Sequence, residues 1–198
     1  MERVLTFRTH LAIGALGAMG FVGAVDLNGV ANLDKTQTAY VVGLILFGSV
    51  LPDIDEPRSF ISRKFPLISQ ITATFFKHRG PTHFLFIPIL LFVAWAIFGQ
   101  IAWGARGFGM IMHHVGDMLT PSGIQGYFYP FKKRFVARIL PKKIAVKTGS
   151  TVEMALVLPA ILAVDGLLGA KILGFDIDIS KIFGLLNRID LNSLGLSL

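Results

Sequence analysis

Every histidine of this 198-residue chain falls at the end of an apolar segment, close to a carboxylate or to another histidine. The stretch 51–83, LPDIDEPRSFISRKFPLISQITATFFKHRGPTH, holds Asp53, Asp55, His78 and His83, while His10, His113, His114 and Asp117 sit at the ends of other apolar runs. Imidazole and carboxylate side chains gathered in this way bind metal ions. The chain has no cysteine, so any ion must be held by nitrogen and oxygen donors, a set that suits zinc, manganese or magnesium better than copper(I) or an iron–sulfur cluster.

Spacing refines the candidates. His113 and Asp117 are four apart, so on a helix they share one face a turn apart, while His114 points about 100° away and reads as a supporting or packing residue. Asp53 and Asp55 follow Pro52, which breaks a helix. An Asp-x-Asp pair is more often an ordinary turn, and here one ligand and one bridging or basic carboxylate are expected. In His78-Arg-Gly-Pro-Thr-His83, Pro81 suits a first helical position and puts His83 in the first turn. This is not the His-Glu-x-x-His of zinc peptidases, and alone it reads equally well as a basic interfacial loop. Arg79 beside such a site would hold a phosphate or carboxylate by two parallel hydrogen bonds.

The elements that must carry these residues are apolar. Hydrophobic residues make up 53% of the chain and charged ones 16%, against about 25% charged in a soluble domain, and the mean hydropathy is +0.65. An aqueous globule of this composition would need an unusually large core or an oligomer. Five apolar segments are expected, at 11–25, 39–51, 84–103, 108–119 and 154–173, with a turn at Gly104–Arg106–Gly107 between the third and fourth. The third approaches the ~20 residues that cross a bilayer core, with Trp95 at mid-depth and Trp103 at its far interface. The first, second and fourth reach that length only if their helices run on into the ligand motifs. Gly14, Gly17, Gly20 and Gly23 lay a smooth stripe on the first. Asp165 lies inside the fifth, where an acid is costly.

Charge orients the scheme. With the N-terminus inside, residues 1–10, 52–83 and 117–153 lie on the cytoplasmic side and hold 14 of the 19 Lys and Arg residues, as the positive-inside rule requires. His10, Asp53, Asp55, His78, His83, His113 and Asp117 then reach the same face. The net charge of +7 is concentrated in loops rather than spread as a nucleic-acid face, and the basic stretch 129–147 reads as a loop on anionic headgroups. The expected architecture is all-α: a polytopic membrane-embedded domain, 1–175, with about five hydrophobic helices and a metal site at their cytoplasmic ends. An amphipathic tail, 176–198, follows it.

The motifs THLAIG, LPDIDEPRS, HRGPTH and HHVGDMLTPSG, followed by an aromatic Tyr127–Pro130 and a basic run, resemble the LexA-regulated, membrane-bound metal-dependent hydrolase family (YdjM-like) over about residues 9–140. The resemblance implies a bacterial inner-membrane hydrolase, distantly similar to the all-helical zinc-dependent phospholipase C and P1-type nucleases. By motif it implies His10, Asp53, Asp55, His78, His83, His113 and Asp117 as metal ligands, without His114. Pro81 and Phe84 depart from the family's usual wording. The expected activity is hydrolysis of a phosphoester, in a phospholipid or similar substrate. One to three zinc ions would activate water, Asp55 would be a ligand or general base, and Arg79 would neutralise phosphate. Thr82 and Thr120 would support the ligands. The competing class is a non-enzymatic structural or transport protein using the same residues as a clamp or cation path.

Overall fold

The computed structural model describes residues 6–27, 32–57, 59–75, 80–147 and 149–172. It is mostly helical. The apolar segments lie in α1 (Phe7–Leu27), α2 (Lys35–Gly48), α5 (Phe86–Phe98), α6 (Ile101–Met118) and α7 (Leu158–Ile172), the third segment being divided between α5 and α6. Two short helices, α3 (Phe60–Lys64) and α4 (Pro66–Phe75), lie between the second and third of these. Among the described residues two helical windows are long and apolar enough to cross a membrane, Phe7–Val25 and Glu153–Ala170.

Local chemistry sets the boundaries. α1 begins before the apolar run and takes in His10; its 21 residues reach roughly 31 Å, about the thickness of a hydrocarbon core. α2 also starts early, because Asp34 caps it: its carboxylate accepts from the Gln37 amide at 2.8 Å, and the Gln37 side chain accepts from the Asp34 amide at 3.1 Å. This reciprocal pair is a capping box.

The third segment differs most from expectation. The apolar run 84–103 is two helices, broken at Gly99, whose φ of 67° caps α5. Trp103 therefore belongs to α6. Gly104 and Gly107 make no turn; both are buried in α6, where a side chain on Gly104 would collide with the Trp95 indole and one on Gly107 would press on Leu91 and the Pro88 carbonyl, each 3.1 Å from its Cβ. The glycines are there for close helix contact. The same holds where α2 crosses α6, since a side chain on Gly109 would run into the Ile45 carbonyl. Along α1 half of the glycine stripe is used. Gly14 abuts Ser49 and Gly17 abuts Met112, whereas a Cβ on Gly20 or Gly23 would meet no other element within 4 Å among the described residues.

α6 is the central helix, packed on α1, α2 and α5. Ala18, Phe21, Val25, Val41, Ile45 and Ala105 fill the core between α1, α2 and α6, with Trp95 of α5 against it. The fold is not wholly helical: β1 (Ile124–Gln125) and β2 (Val136–Ala137) form a small antiparallel hairpin after α6. Two compact units divide the chain, residues 1–165 and 166–198. Within the second, residues 166–172 continue α7, and the tail 176–198 lies outside the described residues.

Candidate metal centre

Four separate elements deliver the candidate ligands. His10 comes from the first turn of α1, and His113 and Asp117 from the last turns of α6. Asp53 and Asp55 lie in a 3₁₀ turn, Leu51–Asp55, and His83 in a second, Pro81–His83, with Pro81 at its first position. The tight 3₁₀ curl lets both aspartates of an alternating pair turn inward. All six are buried.

Their donor atoms converge. His113 Nε2 stands 3.6 Å from Asp53 Oδ1 and 3.7 Å from Asp117 Oδ2. His83 Nε2 is 3.3 Å from Asp117 Oδ2, and His10 Nε2 is 3.8 Å from Asp117 Oδ1. The His10 ring lies flat against that of His113, centroids 3.9 Å apart. Gly116 makes room for it, because a Cβ there would stand 2.8 Å from His10 Nδ1. Two triads, His10–His113–Asp117 and Asp53–His83–His113, each bring three ligand atoms within 4.8 Å of one another.

The protons indicate what these atoms face. His113 Nδ1 lies 2.8 Å from the Ser49 carbonyl oxygen. A carbonyl only accepts, so Nδ1 carries the hydrogen, and in the neutral ring Nε2 turns its lone pair on Asp53 and Asp117. Metal-bound histidines are held by such a bond on the other nitrogen. His83 is held similarly: Thr82 Oγ1 donates to Asp55 Oδ2 at 2.6 Å and stands 3.0 Å from His83 Nδ1, which is left to donate. Both ring nitrogens of His10 and Nε2 of His113 are buried with no hydrogen-bond partner among the described residues. Carboxylate oxygens facing imidazole lone pairs in a buried space require a positive charge between them. The donor set thus fits a divalent cation.

A proton is the competitor for that place. Burial disfavours a charged His83, but the bonds and charges of Asp117 and Asp55 outweigh it and push the imidazole up to about 9. The proton concerned is on Nε2, the atom turned to Asp117.

Asp55 stands on the Nδ1 side of His83, 3.6 Å away, and belongs to neither triad. Thr82 supports the site, whereas the Thr120 hydroxyl bonds its own helix end, the Asp117 carbonyl, at 2.7 Å. His114 is buried edge-on against Tyr127, centroids 5.4 Å apart, outside both triads. His78 and Arg79 lie outside the described residues. Asp165 is buried in α7, with neither carboxylate oxygen hydrogen-bonded among the described residues.

One residue that sequence reasoning passed over braces the site. Glu153, fully buried, accepts from Thr9 Oγ1 at 2.6 Å, from the Thr6 amide at 2.9 Å and from Thr6 Oγ1 at 3.1 Å. Its second oxygen accepts from the Gly149 amide at 2.6 Å. It thereby ties the start of α1, next to His10, to the π-helical turn Glu153–Val157 that leads into α7. The sequence signal was Ser150-x-x-Glu153, a capping-box pattern, and the Ser150 hydroxyl does accept from the Glu153 amide at 3.2 Å.

Comparison with known proteins bears on this site. Residues 5–173 match the family described as YdjM inner membrane protein. The inner membrane protein YdjM of Escherichia coli strain K12 is 33% identical over 112 residues, covering 52% of this chain and 57% of that protein. The same figures hold for the Shigella flexneri protein of that name. An uncharacterized protein of Bacillus subtilis, YvsG, is 33% identical over 84 residues, 41% of this chain and 52% of its own length. The chain thus spans about half the length of the curated relatives it matches. No solved structure matches.

Proposed function

The chain belongs to the YdjM inner membrane protein family, and on that premise we propose that it is a metal-dependent hydrolase acting on phosphoesters at the cytoplasmic face of a bacterial inner membrane. The observation that carries this reading is the convergence of His113 Nε2, Asp53 Oδ1 and Asp117 Oδ2, with the His113 proton fixed on the opposite ring nitrogen. His10, Asp53, His83, His113 and Asp117 are the proposed ligands, and His78 is proposed with them on its sequence motif alone. Asp117 turns one oxygen to His10 and the other to His83 and His113, so both of its oxygens would be available to hold metal. Three imidazoles among the ligands suit zinc better than magnesium, which prefers oxygen donors. A bound zinc ion supplies Lewis acidity and an activated water at neutral pH.

The chain's own groups do the rest. Asp55 and Thr82 hold His83 in the tautomer that turns Nε2 to the ion, and Asp55 is the carboxylate proposed to accept a proton. Asp53, 7% exposed, is the ligand an incoming substrate meets first among the described residues. Arg79 is assigned to the substrate phosphate. In this reading α1, α2, α5, α6 and α7 cross the membrane, the N-terminus is cytoplasmic, and the basic loops share that side with the site.

A second reading has its own support. The ligands come from α1, α6 and two 3₁₀ turns, so an ion would cross-link the fold whether or not it reacts. Purified protein loaded with zinc and offered phospholipids, phosphodiesters and phosphomonoesters separates the two. The hydrolase reading expects turnover that falls about 10²–10³-fold in Arg79→Ala with metal content unchanged. Metal binding with no hydrolysis across all three classes leaves the clamp.

A further inference from the structure

α4 is built the wrong way round for a helix in water. Its Ser69 and Thr72 face the protein: Ser69 is 2% exposed, and the Thr72 hydroxyl donates to the Ile54 carbonyl at 3.1 Å. Its bulky apolar residues face outward, with Leu67 70%, Ile68 50% and Ile71 51% exposed. At 100° per residue these three fall within an arc of about 100°, the width of stripe that a helix of a soluble domain turns to its core. Exposing that stripe to water forfeits the hydrophobic term that orients a surface helix. The Thr72–Ile54 hydrogen bond, moreover, holds the stripe outward.

The neighbourhood identifies what covers it. The preceding helix, α3, ends in exposed Arg63 and Lys64, beside exposed Phe60 and Phe65. A second element at the same end of α6 repeats the combination: the loop joining β1 to β2 carries Phe131, 91% exposed, followed by Lys132, Lys133 and Arg134. The segment after β2 is tied to the C-terminal end of α6 through the Ile139 and Val146 amides, which donate to the Met118 and Leu119 carbonyls. Aromatic and aliphatic side chains next to fixed cations match the boundary between acyl chains and phosphates of an anionic leaflet.

We infer that α4 is an interfacial helix, lying in the leaflet beside the metal centre with Leu67, Ile68 and Ile71 among the acyl chains and Arg63 and Lys64 at lipid phosphates. The occupant of its outer face is lipid. The inference does not depend on any hydrolase activity. It does connect to the site: Ile54, whose carbonyl α4 binds, lies between Asp53 and Asp55. The Ser59 and Ser62 hydroxyls of the α3 segment also donate to the Asp53 carbonyl, at 2.7 and 3.2 Å. The helix touching lipid and the turn carrying two acids are one bonded unit.

The absence of cysteine makes the test clean. Nitroxide labels are placed singly by Leu67→Cys, Ile68→Cys, Ile71→Cys and Gln70→Cys in the full chain, in nanodiscs of phosphatidylethanolamine and phosphatidylglycerol. Collisions with oxygen, which concentrates in lipid, are compared with collisions with a water-soluble nickel chelate. Positions 67, 68 and 71 are expected to favour oxygen, and position 70 nickel. Nickel access at all four would overturn the proposal in favour of an aqueous helix. Shielding of 67, 68 and 71 from both reagents, with spin–spin broadening, would overturn it in favour of a second copy. Accessibilities unchanged in phosphatidylcholine discs would overturn the role of anionic headgroups.

Discussion

A hydrogen atom on His113 Nδ1, held by the Ser49 carbonyl, decides how the cluster reads, because it turns a basic nitrogen on two acids. His83 adds a measurable consequence. Its imidazole is raised from the ordinary 6.5 to about 9 in the metal-free fold, so between pH 7 and 9 a metal must displace one proton from Nε2. Zinc affinity is expected to rise about tenfold per pH unit over this range and to level off above 9, by proton linkage. The metal-free fold shows the opposite sign. Protonated His83 stabilises it fully below 6.5, and that contribution is lost as pH rises through 9. Calorimetric titration with zinc across this range checks the first; an affinity indifferent to pH would mean that His83 is not a ligand. The His113–Asp117 pair was legible from its four-residue spacing. The roles of Ser49 and Gly116 were not, since a backbone carbonyl and a missing Cβ leave no mark in composition.

At the scale of elements, the sequence misled where one residue type serves two purposes. Gly104 and Gly107 looked like a turn and are contact glycines inside α6, while the true break fell at Gly99. Only the partner helix tells the two uses apart. Glu153 is a similar case: its capping pattern is local, yet its carboxylate reaches residues 144 and 147 positions away. Thr9→Val removes the 2.6 Å bond to that carboxylate. It is expected to cost about 1.5–3 kcal/mol of stability, the range for a hydrogen bond to a charged group, and to weaken zinc binding by loosening the helix start that carries His10. Thr9→Ser restores both. Thermal unfolding with zinc titration reads the pair; a loss of stability with unchanged zinc affinity would confine Glu153 to holding α7 on α1.

For the whole molecule, the helical class and the gathering of His10, Asp53, Asp55, His83, His113 and Asp117 were readable because motif spacing and segment ends are one-dimensional facts. The small β1–β2 hairpin and the reversed faces of α4 were not, because each depends on which neighbour a side chain meets. The proposed topology has a direct check: reporters fused after residues 65 and 140 are expected to be cytoplasmic and one after residue 30 external. Residues 65 and 140 on opposite faces would separate stretches that the site requires together.

The central claim is the metal centre itself, and metal analysis of the detergent-purified, zinc-loaded and dialysed protein tests it most directly. Wild type is predicted to retain at least one equivalent, His113→Ala to lose it while keeping its helical spectrum, and His114→Ala to retain it. A folded wild-type protein that holds no metal after loading, or one that loses it equally in His113→Ala and His114→Ala, would contradict the account.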